Sequence, residues 1–411
     1  MFSYKNKIDK NLSYYLENKS YKKYRVLIKC KNLQDGIAKK ISSYKGDLYY
    51  SLKYSNLICA KLSAASIYRL LEYPEVSYIC FDEYLFLCGI SVNAANNASS
   101  HYKYKLSGKG VYIGLVDSGV YPHDDLLSPN NKIDTFVDLI NNYNYPYDDN
   151  GHGTSVAGII CGSGLASNYM YKGIATDSKL VCYKAFDKLG KGFVSDVLFA
   201  IESLIDDSRI KVLCLPFELL THNYFITNIF NDVFNKAIKK NIIPILPSGS
   251  NLNLDGSIMG LSSLNTCISV GGVNTFHCFK SYEYSSCGPI GKVIKPNLSA
   301  ACVNITSLNS NTQFIPEKDG LKLYPSKLDA LYKSFTGTSL AVAYVCGITA
   351  LIFENNLDLN FEDIKSILTL SCDLGSLPKN KNGEGLINIS KLITWDNMVF
   401  NIVFNIGDFL L

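Results

Sequence analysis

Three short segments of this 411-residue chain place a catalytic type of side chain beside glycine. Asp117 ends an apolar run at 111–120, His152 stands between two glycines at 150–158, and Ser339 follows Gly-Thr at the start of an apolar stretch. A hydroxyl becomes a strong nucleophile when a base takes its proton, and a carboxylate holds an imidazole in the tautomer that serves as this base. Each segment alone also fits a cap or a loop. Together, the chain order Asp, His, Ser is one in which such triads occur.

Apolar runs alternate with helical patterns after about residue 100. The runs and patterns lie at 110–116, 155–160, 179–185, 194–205, 211–215, 231–240, 242–246 and 267–270. Continuous apolar strands between helices predict an α/β fold whose mostly parallel sheet is covered by helices on both faces. In such sheets function gathers where strands end in loops.

The N-terminal part reads as a separate small α/β unit. It has β-rich stretches at 24–29, 48–62 and 76–81, with helical patterns at 33–43 and 63–72. The segment Ser91 to Ser100 is small and polar without periodicity, which is typical of an exposed linker or a cleavable junction. We therefore place two domains at 1–95 and 96–411.

Composition excludes several classes of protein. Forty basic and 36 acidic residues leave a net charge of +4, which is too small to predict nucleic acid or an anionic membrane as partner. No stretch of about 18 uninterrupted apolar residues predicts a membrane span, and the tail at 397–411 is expected to pack as a strand or a helix. The first 25 residues lack the apolar core of a secretory signal. The expected location is the cytoplasm or another cell-internal compartment, with unconventional export left open.

The 13 cysteines predict buried free thiols, because most of them lie inside apolar runs and no Cys-x-x-Cys pair occurs. Cys80 and Cys88 could form a disulfide only if their strands met. The pair Asp148 and Asp149 near His152 could bind a cation, but a solvated acidic loop is the favoured interpretation. No cofactor is expected.

These segments resemble the signatures of the subtilisin-like serine proteases, the subtilases. The matching residues are Asp117-Ser-Gly, Gly151-His152-Gly-Thr and Gly337-Thr-Ser339, and the similarity extends over nearly the whole chain, including the closing run at 383–389. The resemblance implies that Ser339 is the nucleophile, His152 the general base and acid, and Asp117 the orienting carboxylate. It also implies a protein or peptide substrate and the possibility of bound calcium. The unit at 24–89 resembles the inhibitory propeptide of many subtilases, which would make it an internal partner of the enzyme.

Two positions depart from the family pattern. The family usually supplies an Asn side chain to the oxyanion hole after Ala-Gly; here alignment on Gly249 puts Ser250 at that position and Asn251 one residue late. Loss of one such donor costs about 10² to 10³ in turnover, roughly 3 to 4 kcal/mol.

The second departure lies in the segment that pairs with the substrate backbone. The family has Ser-Leu-Gly, whereas this chain has Pro216, Phe217 and Glu218. Proline has no N–H to donate, and Glu218 replaces a small residue that leaves room for a substrate side chain.

The leading hypothesis is a serine endopeptidase made as a zymogen, which forms an acyl-enzyme and cuts itself between about Cys88 and Asn97. One alternative is a pseudoprotease that keeps the fold as a binding scaffold, since its oxyanion and substrate positions have changed. A third is an enzyme that cuts only itself or one dedicated partner, with Pro216 and Glu218 setting a narrow specificity.

Overall fold

The computed structural model of the chain describes residues 6–52, 56–82, 90–91, 95–96, 106–220, 224–275, 279–291 and 293–393. The chain divides into two compact units, Met1–Cys88 and Gly89–Leu411, each with its own apolar core. The element expected at 397–411 lies outside the described residues, and so does Cys88 of the possible Cys80–Cys88 pair.

The first unit is a four-stranded antiparallel sheet with three helices. The sheet has the order β2-β3-β1-β4, with β1 Tyr24–Cys30, β2 Asp47–Leu52, β3 Leu57–Leu62 and β4 Val76–Phe81. The helices are α1 Lys10–Glu17, α2 Gln34–Ser43 and α3 Ala64–Leu71. Burial alternates along β1, as in a sheet with one face on a core. Helix α3 begins after Ser63, whose side chain accepts a hydrogen bond from the Ser66 N–H. The elements predicted between residues 24 and 81 are confirmed.

The second unit is built on a ten-stranded sheet. Nine strands have the order β18-β19-β13-β11-β10-β9-β6-β8-β7, and β12 pairs with β11. From β19 to β7 in this order, each strand pairs in parallel with the next. Their bounds are β6 Tyr112–Asp117, β7 Ile133–Asp138, β8 Lys179–Lys184, β9 Ile210–Cys214, β10 Ile243–Pro247, β11 Ile268–Asn274, β12 Lys280–Ser281, β13 Leu298–Ala301, β18 Cys372–Asp373 and β19 Leu386–Ile387.

Two smaller sheets belong to the same unit. β5 Ile90–Ser91, β14 Ile305–Leu308 and β17 Tyr332–Phe335 form a three-stranded sheet in the order β17-β14-β5, and β15 Glu317–Lys318 pairs with β16 Leu321–Lys322.

Helices cover both faces of the large sheet. They are α4 Asp124–Leu127, α5 His152–Cys161, α6 Val194–Asp206, α7 Tyr224–Lys239, α8 Thr338–Asn355, α9 Phe361–Leu370, α10 Lys379–Asn382 and α11 Ile389–Ile393, with 3₁₀ turns at Leu165–Ser167 and Gly260–Ser263. Alternate residues of β9 belong to different cores. Val212 and Cys214 pack in a core shared with α5 and α8. Leu213 and Leu215, the latter just after the strand, pack in a core shared with α6 and α7. Both faces of the strand are therefore buried, and the predicted fold class is confirmed.

Helix α8 carries Ser339 and runs through the core of the second unit. Among the helices of the described residues, it is long and apolar enough to cross a membrane by length and composition, but 78% of the apolar stretch is buried inside the protein. Gly347 lets it pack closely, because a Cβ there would lie 2.6 Å from the Ile174 Cβ. A central core helix accounts for this composition.

Part of the segment 91–100 is buried, contrary to the exposed linker predicted there. Ala95 and Asn96 are 3% and 1% exposed, and the Asn96 Oδ1 accepts a hydrogen bond from the Ala301 N–H at 2.9 Å. β5, just before them, pairs with β14. Ala95 and Asn96 therefore pack within the second unit.

Buried free thiols are found in both units, as the sequence predicts. They include Cys30, Cys59, Cys161, Cys182, Cys214, Cys267, Cys287, Cys302, Cys346 and Cys372.

Candidate active site

Asp117 is the last residue of β6 and is 4% exposed. Its Oδ1 accepts a hydrogen bond from the Ser118 N–H at 2.6 Å. The next element comes very close to this strand end: a Cβ on Gly153 would lie 2.1 Å from the Gly119 carbonyl oxygen and 3.1 Å from the Asp117 Cβ. Glycine at 153 is therefore required to seat α5 against the carboxylate.

His152 is the first residue of α5 and contacts Asp117 directly. Its Nδ1 lies 2.8 Å from Oδ1 and 3.0 Å from Oδ2 of the carboxylate. Gly151 precedes it with φ +96°, a left-handed conformation that favours glycine. Because a carboxylate accepts the Nδ1 proton, we assign the tautomer in which Nε2 is free to act as a base.

The electrostatic surroundings of His152 favour its protonated form. Burial lowers its pKa, but the charge and hydrogen bond of Asp117, together with the charge of Asp148, raise it above the ordinary value. The imidazole side chain is 38% exposed. The imidazole is therefore in contact with a buried acid and is itself partly open to solvent.

Asp148 ties the Asp117 loop to α5. It is fully buried, and its Oδ1 accepts hydrogen bonds from the Ser118 Oγ and the Gly151 N–H at 2.9 and 2.8 Å. Its Oδ2 accepts from the N–H and Oγ of Thr154 at 2.9 and 2.6 Å. Burial raises the pKa of Asp148, whereas the hydrogen bonds from Thr154 and Gly151 lower it. The solvated acidic loop favoured by the sequence is therefore wrong for Asp148.

Asp149 forms an ion pair with a buried lysine, unlike its neighbour Asp148. Its Oδ1 lies 2.6 Å from the Nζ of Lys184, a fully buried lysine at the end of β8 that also donates to the carbonyls of Ser118 and Phe186. Across the described residues, no group of three or more His, Cys, Asp and Glu side chains is placed to hold a metal ion. The sequence interpretation missed Lys184, although a lysine at the end of the apolar run 179–184 is its visible signal.

Ser339 is the second residue of α8 and is half-buried. Backbone N–H groups and the dipole at a helix N-terminus favour negative charge. The Ser339 Oγ donates a hydrogen bond to the Pro216 carbonyl at 3.0 Å. No hydrogen bond joins it to His152 among the contacts of the described residues, so proton transfer requires the hydroxyl to turn away from Pro216. Catalytic hydrogen bonds are often formed only when substrate is present.

The two residues predicted for the oxyanion hole lie in different surroundings. Ser250 lines a cavity of about 200 Å³ together with Ser339, but its Oγ donates to the Glu218 Oε1, and its N–H donates to Oε2 at 2.9 Å. Asn251 is not among the described residues that line this cavity. Its Nδ2 is buried and has no hydrogen-bond partner among the described residues.

The predicted substrate-binding residues surround the same cavity. Pro216, Phe217 and Glu218 all line it, and the Phe217 ring packs on Phe186 with centroids 5.3 Å apart. Gly249 has φ +110°, a left-handed conformation that favours glycine, and the Glu218 Oε2 lies 2.7 Å from where a Cβ would be. A larger recess of about 340 Å³ is lined by Asp206, Ser208 and Lys240 among others, and the Lys240 Nζ lies 2.9 Å from the Asp206 Oδ1.

Comparisons with known proteins agree on one family. A model of the Subtilase family matches residues 108–387. Serine protease AprX of Bacillus subtilis (strain 168) is 31% identical over 283 residues, which are 65% of this chain and 62% of AprX. Minor extracellular protease Epr of the same organism is 27% identical over 292 residues, 70% of this chain and 39% of Epr. The chain thus spans less than two thirds of either relative.

A solved structure matches almost the whole length of the chain. The epidermin leader peptide processing serine protease from Staphylococcus aureus aligns with a TM-score of 0.59 and 18% identity, over 91% of this chain and 99% of that chain. At this identity the likeness shows the fold.

Proposed function

Since the chain belongs to the subtilase family, we propose that it is a serine endopeptidase. The observation that carries the proposal is the buried contact between Asp117 and the Nδ1 of His152. It leaves the second imidazole nitrogen free of the Asp117 contact, and Ser339 lines a cavity together with Pro216 and Ser250. An acid, an imidazole and an alcohol in these roles perform acyl transfer.

The proposed reaction has two steps. The Ser339 Oγ attacks the substrate carbonyl carbon while His152 Nε2 takes its proton, and the same proton then passes to the leaving amine. Water hydrolyses the acyl-enzyme by the reverse proton path. Asp117 remains ionised, because its role is to orient the imidazole and to stabilise the imidazolium. The N–H of Ser339 at the start of α8 supplies one donor to the developing oxyanion.

We also propose that the enzyme is made as a zymogen and that it cleaves itself. The first unit has its own core and sheet, and it resembles the propeptides of subtilases. β5 and Asn96 already belong to the second unit. A cut before β5 would leave these contacts intact, so we place the junction at the N-terminal end of the predicted range 88–97.

A narrow substrate specificity is part of the proposal. Pro216 has no N–H to pair with a substrate strand, and its carbonyl is engaged by Ser339. Glu218 occupies the cavity wall where the family has a small residue. Both features reduce the set of peptides that fit.

A catalytically inactive binding scaffold is the second candidate. It is favoured by the hydrogen bonds that engage Ser339 and Ser250 with Pro216 and Glu218, respectively. A scaffold predicts that a Ser339→Ala variant keeps the biological function of the chain. An endopeptidase predicts that this variant loses it.

Intact mass of the purified wild type beside Ser339→Ala tests the proposal. We expect the wild type to lose its first unit, to label with a fluorophosphonate, and to hydrolyse a peptide library. We expect Ser339→Ala to stay at full mass without label, with turnover lower by about 10⁶. Ser334→Ala, which removes an exposed hydroxyl from β17, is the matched control and should resemble the wild type. A wild type that neither labels nor cleaves any peptide would contradict the endopeptidase proposal.

A further inference from the structure

Glu218 brings a carboxylate to the cavity beside the nucleophile. The cavity is lined by Glu218, Ser250 and Ser339 together. The carboxylate accepts hydrogen bonds from the N–H and the Oγ of Ser250, and these fix its position. A carboxylate has about four acceptor sites, so two remain for a further donor.

In the part of the chain that the structure describes, no cation neutralises this carboxylate. Within the described residues, no Lys, Arg or His nitrogen lies within 4.0 Å of Glu218, although eleven such pairs occur elsewhere. Glu218 is half-buried, and a partly desolvated charge gains most from a partner of opposite sign. A cationic group of a substrate would supply such a partner.

The rest of the cavity suits the stem of a long basic side chain. Beside its polar groups, the cavity is lined by Pro216, Phe217, Pro247 and Tyr282, whose side chains offer carbon atoms for methylene groups to pack on. Its volume of about 200 Å³ equals that of about six or seven water molecules, which is comparable with one Lys or Arg side chain. Such side chains bury their methylene groups while the charged end seeks a polar partner.

We propose that Glu218 makes this cavity a subsite for the Lys or Arg side chain of the residue whose carbonyl Ser339 attacks. The cavity is lined by Ser339 and by the oxyanion candidate Ser250, between which the proposed mechanism places the reacting carbonyl. The side chain that enters it therefore belongs to the residue on the acyl side of the scissile bond. The inference rests on the proposed endopeptidase function and specifies its substrate class as basic peptides.

The predicted junction of the chain itself offers no basic side chain to this subsite. The sequence between Arg69 and Lys103 contains no Lys or Arg, and it includes the whole predicted junction at 88–97. The enzyme should therefore cut its own junction more slowly than a peptide with a basic residue at the matching position.

Three peptides that differ at one position test the inference. They are acetyl-Ala-Ala-Ala-Xaa-Ala-Ala-amide with Xaa as arginine, citrulline or leucine, of which citrulline has the shape of arginine without its charge. We expect wild-type kcat/KM to be about ten- to a hundredfold higher for arginine than for citrulline, because hydrogen bonds to charged groups contribute this much. Glu218→Gln should reduce the ratio to near one, whereas Glu283→Gln, at an exposed neighbouring glutamate, should preserve it.

Binding to the full-length Ser339→Ala variant separates this inference from the proposed function. We expect calorimetry to give the same preference for the arginine peptide over the citrulline peptide, lost in the double variant with Glu218→Gln. If the wild type neither labels nor hydrolyses but this preference is found, the endopeptidase proposal fails and the inference stands. Equal rates and affinities for the two peptides, a preference that survives Glu218→Gln, or no binding of the arginine peptide overturns it.

Discussion

The two sides of the cleft differ in how their polar groups are satisfied. On one side, Asp117 and His152 are joined at 2.8 Å and are supported by the buried carboxylate of Asp148. On the other side, Ser339 and Ser250 are engaged in hydrogen bonds that catalysis does not use, with Pro216 and Glu218. The acid and the base are already in contact. The nucleophile Ser339 and the cavity residue Ser250 must first give up their present hydrogen bonds when substrate binds.

The two sides also differ in how strongly their side chains are held in place. The acid–base side is held by backbone N–H groups and buried side chains, so a change there costs both stability and chemistry. On the cavity side, the Glu218 carboxylate accepts two hydrogen bonds from Ser250, and a substrate can replace them. The largest effects of substitution are therefore expected on the acid–base side, which is the more rigid of the two.

Asp117→Asn should lower kcat by about 10⁴, because an amide neither orients the imidazole nor stabilises the imidazolium. Steady-state hydrolysis of a peptide that the wild type cuts measures the loss. Asp124→Asn, which neutralises an exposed carboxylate in α4, should keep nearly full activity. A similar loss in both variants would mean that general charge, rather than the Asp117–His152 contact, controls the rate.

The same variant should shift the acid limb of the pH profile. His152 acts as a base only when it is neutral, so wild-type kcat/KM should fall as the pH drops through a pKa raised above the ordinary value. Without the Asp117 charge that pKa decreases, and the limb should move to lower pH. An unchanged limb in Asp117→Asn would show that another group titrates there.

Asp148→Asn should lower the free energy of unfolding by about 3 kcal/mol. The substitution replaces one carboxylate oxygen, which accepts hydrogen bonds, with an NH₂ group, which donates them. The Thr154 or Gly151 N–H would then be buried without an acceptor. Urea denaturation measures the change, with Asp124→Asn again as control. A loss below about 0.5 kcal/mol would mean that the loop relaxes and that Asp148 is not a main tie between Asp117 and α5.

The sequence predicts the rigid side of this comparison better than the other. Asp117, His152 and Ser339 each follow a strand end or begin a helix, and apolar periodicity places such ends at one edge of a parallel sheet. Local patterns therefore predict the fold and the Asp117–His152 contact. They do not predict the role of Asp148, because its burial depends on how closely Gly153 lets α5 approach β6.

Contacts between distant loops are beyond this kind of prediction. Glu218 and Ser250 are 32 positions apart, and their hydrogen bond depends on the path of two loops after neighbouring strands. The burial of Asn96 is a similar case, since its acceptor role depends on Ala301, 205 positions away. A small polar sequence is compatible with both an exposed linker and a fitted segment, and only the tertiary structure distinguishes them.

The smallest effects are expected from the two oxyanion candidates. Ser250→Ala should lower kcat by less than about tenfold, because the hydroxyl donates to Glu218 and the N–H of Ser339 remains as a donor. Asn251→Ala should leave kcat within about twofold and should not reduce the free energy of unfolding. Its buried Nδ2 has no partner, so removing this donor relieves a desolvation cost of about 1 to 3 kcal/mol that offsets the lost packing.

The pair of variants also measures how far the cavity side rearranges during catalysis. If Ser250→Ala lowers kcat by about 10² to 10³, as loss of a full oxyanion donor does, then the Ser250 hydroxyl leaves Glu218 when substrate is bound. If Asn251→Ala causes that loss instead, the loop after Gly249 shifts by one residue in the reacting enzyme. If both losses of kcat are small, the backbone N–H of Ser339 is the main donor to the oxyanion. The side chains of the cavity side then contribute less to catalysis than those of the acid–base side.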